Sequence, residues 1–471
     1  MVQVQPVVGQ ITRFFPPTNE MDSTATLEPS MAYETDFDLG ISKIEESDGA
    51  REQYIATAIM PEFYYGPFSA GLMLRAHIDT RSGGFRPEDY DSPGDFLSIL
   101  RFAQYSERGD PVRYGRLGEL EDATLGYGHF INRFSNSIRL DDQKRGFEVA
   151  GRIGAFRLEA LYSNLLAAEV YGLRGSTRPF AAHPDPVLAS LDVGISFAGD
   201  FSREGSLVNP DFAGFPFLTD PTLQQPGVLQ TAIGDPVARV GMIGIDVGLP
   251  LFNTERRSGL AYFELGKIYK YGMGAATGML NRWELSNEIN LETQLEFRLL
   301  GPNYLPSYFN SLYEVERFRQ VNIEDAAGNS VQAINTKQNL LDIYPKSRVG
   351  SYTSMSWKYK RIFYLTWSYE YTWNQGNDGW MHLDTRLKSR DLPIYFRLTF
   401  DRVSPIPIRD AASVGKRITM FRFEGAYQFF EFLMLGFGIR HSFEPTYKLG
   451  VPTGLSQRKR IEPRFRFVLP V

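Results

Sequence analysis

The chain has 471 residues, more than one soluble core ordinarily serves, with 14% aromatic residues and a formal net charge of −5. The acidic balance argues against a general nucleic-acid binder. The absence of cysteine excludes disulfides, thiolate metal sites and a cysteine nucleophile.

Residues 1–30 are rich in proline, threonine and small polar residues, with an isolated Phe14-Phe15 pair. They read as a periplasmic extension or a short plug; a mobile tail is the alternative. The segment lacks a basic n-region and a continuous apolar h-region, so it is not read as a signal peptide. An exported chain is expected to have lost its leader already.

Strand patterns begin at 31–41 and continue through 53–65 and 68–79, joined at Gly66-Pro67. Residues 81–95 form a Gly/Pro/acidic loop, and 97–105 resumes as a strand. In 110–139 charges and glycines interrupt the alternation. That stretch reads as a segment folded inward to constrict a lumen, or as two irregular strands with a bulge. Residues 146–164 read as a hairpin turning near Gly154, and 187–199 as a strand. Residues 200–235 make a long loop rich in Pro, Gly and Phe, of a length uncommon inside compact soluble domains. Strands are expected at 237–249, 259–271, 283–300 and 304–319, then a polar loop at 321–346. Further strands follow from 349 to the end, the turn 374–379 (NQGNDG) among them.

The clearest pattern is 361–373, RIFYLTWSYEYTW. Phe363, Leu365, Trp367, Tyr369, Tyr371 and Trp373 alternate with Thr366, Ser368, Glu370 and Thr372. Such a strand could face a soluble core, or it could face lipid with an aromatic girdle. Length decides between them. Many candidates span the roughly nine to eleven residues that cross a bilayer when tilted, where globular strands average roughly five to six. In 432–443, Leu433, Leu435, Phe437 and Ile439 oppose Gly436, Gly438, Arg440 and Ser442. A sandwich gains nothing by burying that second face; a wet lumen can be lined with it.

In this pattern, which covers most of 31–471, the chain resembles bacterial outer-membrane β-barrels, porins in particular. The terminal strand IEPRFRFVLPV carries the resemblance furthest, with Phe465, Phe467, Leu469 and Val471 in alternation. The last residue is Val471 where the class usually ends in an aromatic. The resemblance implies an all-β, transmembrane, antiparallel up-and-down β-barrel over 31–471, of about 16 strands (roughly 14 to 18). Long loops are expected near 80–96, 200–236 and 321–346. The mature chain would sit in the bacterial outer membrane against lipid, with a homo-oligomer or a surface or periplasmic protein as further candidate partners.

The alternation gives a set of lumen residues. The acidic ones are Glu292, Glu296, Glu370, Asp384, Asp401 and Glu424; the basic ones are Arg298, Arg386, Lys388, Arg397, Arg422, Arg440, Arg464 and Arg466. The basic members concentrate on the last strands. Opposed to Glu292 and Glu296 they would set a transverse field and a mild anion preference. Alternatively they pair across strands and fill the lumen.

Catalysis finds little support. The histidines are His77, His129, His183, His382 and His441, and neither His382 beside Asp384 nor His129 near Ser135 and Asn136 has the spacing of a hydrolase. No metal site, cofactor or catalytic residue is assigned. The leading function is passive diffusion of small polar solutes or ions through a porin-like channel. The alternative is a non-conducting barrel that anchors or docks a surface or secretion component. Lumen glycines favour the first; a plug formed by 1–30 or 110–139 favours the second. A soluble carbohydrate-binding protein shares the aromatics but not the strand lengths.

Overall fold

The computed structural model describes residues 31–45, 51–86, 89–90, 93–106, 113–139, 144–153, 155–201, 240–254, 256–324, 330–338, 341, 344–360, 362–373, 379–388, 392–403, 419–430, 433–448 and 451–469. Side chains are described throughout these except at 31–34, 36, 38, 43–45, 51, 186, 318–336, 388 and 443–469. The expected extension at 1–30, and most of the loop at 200–236, lie outside the described residues.

Sequential antiparallel pairing builds nearly everything else. β1 (Met31–Glu45) pairs β2 (Arg51–Tyr65) along its length. The turn into β3 (Phe68–Leu72) puts Gly66 at φ +55°, a left-handed conformation that glycine adopts without strain. β3 and β4 (Leu74–Asp79) both pair β2 and are one course interrupted at Met73. A short helix, α1 (Pro93–Ser98), precedes β5 (Leu100–Tyr105). Short strands follow: β6 (Arg113–Gly118), β7 (Gly146–Ile153), β8 (Phe156–Tyr162) and β9 (Val170–Thr177). After α2 (Pro186–Ala189) come β10 (Asp192–Asp200), β11 (Val240–Asn253), β12 (Arg257–Ile268), β13 (Met273–Ser286) and β14 (Ile289–Leu300). A one-turn helix, α3 (Tyr313–Glu316), leads to a separate hairpin of β15 (Phe318–Glu324) and β16 (Ser330–Thr336). The sheet resumes with β17 (Arg348–Tyr359), β18 (Phe363–Trp373), β19 (Gly379–Lys388), β20 (Ile394–Val403), β21 (Thr419–Phe430), β22 (Leu433–Lys448) and β23 (Val451–Leu469). β23 pairs β22 on one side and β1 on the other, 464–469 against 35–40. Pairing therefore runs from the first strand to the last and returns to the first.

Counting β3 and β4 as one course, the sheet has 20 antiparallel strands rather than about 16. The sequence reading included β5 and the β7–β8 hairpin but lacked β6, β9 and β13, and its strand at 283–300 runs through the turn at 287–288 that separates β13 from β14. β6 and β9 are six and eight residues long, too short for alternation to stand out. β9 carries Gly172, Arg174 and Gly175 within it, and β13 begins with the small residues Gly274, Ala275, Ala276, Thr277 and Gly278, which mark neither face. Two further expectations are corrected. Residues 187–199 are not one strand: Asp185 caps α2 by accepting hydrogen bonds from the Val187 and Leu188 amides, and β10 starts only at Asp192. Residues 304–319 are not a strand up to β15. Pro302 and Pro306 interrupt the ladder, and Tyr304, Tyr308, Phe309, Leu312 and Tyr313 are all buried instead of alternating. The polar stretch 321–346 contains most of the β15–β16 hairpin.

Antiparallel alternation assigns every connection to one end of the strands. The connections 80–99, 119–145, 201–239, 301–347 and 404–418 all leave from the same end. The opposite end carries mostly short connections, with turns at 66–67 and 287–288.

The two faces differ in an unusual sense. On β14, Leu295, Phe297 and Leu299 are exposed while Glu296 and Arg298 between them are buried; Phe297 is 48% exposed and Arg298 0%. β11 repeats this, with Ile243 and Ile245 exposed and Asp246 buried. On β18 the even positions Thr366, Ser368, Glu370 and Thr372 are buried, and Trp367, Tyr369 and Tyr371 stack along the other face. A protein folded in water buries apolar groups and exposes charge; this sheet does the opposite.

Candidate functional site: an inward segment against an arginine face

What buries the charged face is the chain itself. Between β6 and β7, residues 119–139 and 144–145 fold onto it. Ala123 and Phe134 exchange backbone hydrogen bonds at 3.0 and 2.8 Å, closing the segment into a loop. Ile131 bridges Phe309 of a second inward stretch, 301–317, and Leu120, Phe130, Ile131 and Phe134 pack with Tyr304, Tyr308 and Phe309 in one apolar cluster. Of the stretch 110–139, residues 113–118 form β6 and those from 119 lie against the charged face; the second stretch gave no signal in the sequence.

Glycines on the charged face make room for it. A Cβ at Gly266 would lie 2.5 Å from the His129 ring, one at Gly248 2.1 Å from the Tyr127 hydroxyl, and one at Gly244 2.7 Å from Phe130. These inner-face glycines were expected to leave a lumen open. At β11 and β12 they are instead the floor on which 119–145 rests.

Polar contacts fix the two inward stretches. Gln294 donates to the Tyr127 carbonyl at 2.9 Å, and Tyr127 stacks on Tyr262. His129 Nε2 and the Tyr304 hydroxyl are 2.5 Å apart. Burial pushes His129 down to about 3, which favours the neutral ring in this contact. Lys144 donates to Glu169 and, at 2.5 Å, to Glu314 within α3. Arg317 lies 3.2 Å from Glu169 and 3.1 Å from Asp200. The ends of both inward stretches are thus joined through one buried ionic cluster.

The sequence-derived lumen residues share one face by register. Arg386 stands opposite Arg397, Arg397 opposite Glu424, Arg422 opposite Arg440, and Arg464 opposite Gly436. Arg466 stands opposite Met434. For Arg464, Arg466 and Lys388 only these strand positions are described. Many of the others are paired. Arg298 donates to Glu296 at 2.6 Å and to Glu370 at 2.5 Å. Glu292 lies 3.7 Å from Arg282. Asp401 accepts from Ser311 and lies 2.7 Å from His382 Nδ1, so His382 is held by Asp401 and not by Asp384.

The remaining ones meet the inward segment. Arg386 bonds Asp384 at 2.7 Å, and Arg422 bonds Glu424 at 2.8 Å. Arg440 donates to the carbonyls of Ser137, Ile138 and Arg139 at 3.0, 2.8 and 3.3 Å. Glu121, on the inward segment, accepts from Arg386 at 3.2 Å and from Arg397 at 3.3 Å. Here the face is not sealed: the Arg386 side chain is 40% exposed and that of Glu121 31%. Sequence reasoning missed Glu121 because it sits in irregular chain, where alternation assigns no face.

No family model matches the sequence, and no curated protein matches it. Solved structures are similar in outline. Pseudomonas aeruginosa OccK11 (OpdR) is 10% identical over 94% of this chain and 96% of its own, with a TM-score of 0.30. Pseudomonas aeruginosa OccK9 (OpdG) is 9% identical over 93% and 99%, with a TM-score of 0.32. Acinetobacter baumannii OccAB4 is 10% identical over 94% and 98%, with a TM-score of 0.30.

Proposed function

We propose that the chain is a porin-like channel of the bacterial outer membrane for small polar solutes or ions. One observation carries this reading: exposed apolar residues alternate with buried charged ones, as at Phe297 and Arg298. An apolar outward belt suits hydrocarbon, and a charged inward face suits a wet lumen. In this reading residues 31–471 form one barrel, closed where β23 meets β1. Its long connections face the outside and its tight turns the periplasm.

The inward stretches fill the lumen against β8 to β14 and, through Ser311, Leu312 and Val315, against one end of β17 and β19 to β21, and narrow the rest. Passage then runs along the face of Arg386, Arg397, Arg422 and Arg440, continuing toward Arg464 and Arg466. Water reaches this space, as the exposure of Arg386 and Glu121 implies. Arginines at a constriction favour anions, so the channel is read as weakly anion-preferring.

Detergent-purified protein in a planar bilayer tests the proposal. Stable conductance steps, with a reversal potential in a salt gradient displaced toward anions, are expected. Silence from folded, heat-modifiable protein would overturn the channel reading. It would favour a plugged barrel that docks a partner, for which the inward segment itself is the supporting feature.

A further inference from the structure

We propose that Glu121 is a tethered counter-anion, which passing anions displace from Arg386 and Arg397 and which thereby sets the selectivity of the constriction. This rests on the channel reading above.

The distances suggest the role. Two arginines of this face keep close partners on their own strands: Arg386 with Asp384 at 2.7 Å and Arg422 with Glu424 at 2.8 Å, the usual range for charge-assisted bonds. Glu121 accepts from Arg386 at 3.2 Å, as a second and looser partner, and from Arg397 at 3.3 Å, where it lies nearer than Asp384 at 3.8 Å. Its departure breaks no pair within the sheet.

Charge points the same way. Arg386, Arg397 and Arg422 stand against Asp384, Glu424 and Glu121, while Arg440 opposite Arg422 is held by the carbonyls of Ser137, Ile138 and Arg139. Two of these carboxylates are fixed on strands, and only Glu121 comes from the inward segment. If it swings aside, the three arginines keep two fixed counter-charges, and the surplus positive charge is available to a solute anion.

Backbone anchoring confines that motion to the side chain. On one side, Leu120 is fully buried and its amide donates to Asn136 Oδ1 at 2.8 Å. On the other, Asp122 adopts φ +62° and bonds Arg133 at 2.7 Å. Glu121 lies between two fixed points with its carboxylate part-exposed. A rotamer change clears the arginines without moving the segment, and exposed rotamers exchange in picoseconds to nanoseconds.

Wild type, Glu121→Gln and Arg397→Gln are compared as full chains in planar bilayers under a potassium chloride gradient. Each is first checked for heat-modifiable mobility. Glu121→Gln is expected to raise the anion-to-cation permeability ratio by ~2-fold or more, and Arg397→Gln to lower it. Opposite shifts separate the proposal from a structural role, which would move both variants the same way. Glu121→Asp should restore most of the wild-type ratio. A conducting wild type with the ratio unmoved in Glu121→Gln, or moved alike in both variants, overturns the proposal. A silent wild type overturns the channel reading and this proposal with it. If Glu121→Gln does not fold, the Arg397→Gln arm decides, and an unshifted ratio there counts against the proposal.

Discussion

Arg298 on β14 and Glu370 on β18 are joined at 2.5 Å across the intervening strand β17, while a second nitrogen of Arg298 holds Glu296 at 2.6 Å. One guanidinium thus ties together strands that share no backbone hydrogen bond, beneath the inward segments and with the Tyr352 ring 4.9 Å away. Arg298→Met would leave two carboxylates without this partner in a covered site. Breaking a buried pair from one side costs about 3–5 kcal/mol. The variant should unfold at markedly lower denaturant or temperature than wild type in the same detergent. Glu370→Gln, which can still accept from Arg298, should cost less.

The glycine floor gives a second test. Gly266→Val puts branched carbon where the His129 ring lies 2.5 Å away and Phe130 2.7 Å away. Neither ring has room to retreat within the apolar cluster. Overpacking of this kind costs about 1–3 kcal/mol, and the inward segment, not the strand, should yield. Faster proteolytic nicking within 119–145 than in wild type, with the sheet content unchanged by circular dichroism, is the expected result.

The ionic cluster at the ends of the two inward stretches should act as a unit. Lys144→Met removes the ammonium shared by Glu169 and Glu314. Burial already raises Glu314 above the ordinary carboxylate value, and loss of the lysine removes one of the charges opposing that shift. A carboxylate with a raised value disfavours the folded arrangement as pH rises above its ordinary value. Wild type should therefore be less sensitive between pH 5 and 8 than Lys144→Met, whose thermal stability should fall more steeply over that range.

Glu121 behaves in the opposite sense. Arg397, with Arg386 and Arg422 beside it, holds its carboxyl well below the ordinary glutamate value. Its contact with the arginines is fully present above that ordinary value and is lost only as pH falls through the depressed one. Selectivity measured at pH 7 and again at about 4.5, near the ordinary glutamate value, should be nearly the same in wild type. A large shift by pH 4.5 would show that Glu121 titrates as an ordinary surface carboxylate.

Much of this architecture was legible because the relevant signal is local. In β18 and β14 alternation over eleven or twelve residues states which side chains share a face, and the tight turns punctuate it. The same rule placed Arg386, Arg397, Arg422 and Arg440 together before any coordinates. It failed where strands were short, as at β9, where small residues blurred the two faces, as at β13, and where chain left the sheet. Nothing periodic marks Tyr304, Tyr308 and Phe309 as residues packed on the inner face, because their burial is set by contacts with Ile131 and Phe134, far away in sequence. Nor can alternation say which charges are covered. Arg298 and Arg386 look alike in the sequence, yet one is sealed beneath the inward segments and the other is open to water.

The central claim is that the apolar face meets lipid and the charged face meets water. Since the chain has no cysteine, single substitutions report without background. Phe297→Cys and Glu121→Cys, each labelled with a small fluorophore in the folded protein and reconstituted in vesicles, test it directly. Lipid-borne quenchers should quench the label at 297 strongly and a charged aqueous quencher should not, with the reverse at 121. Aqueous quenching at 297 equal to that at 121 would contradict the account and return the chain to the soluble all-β class.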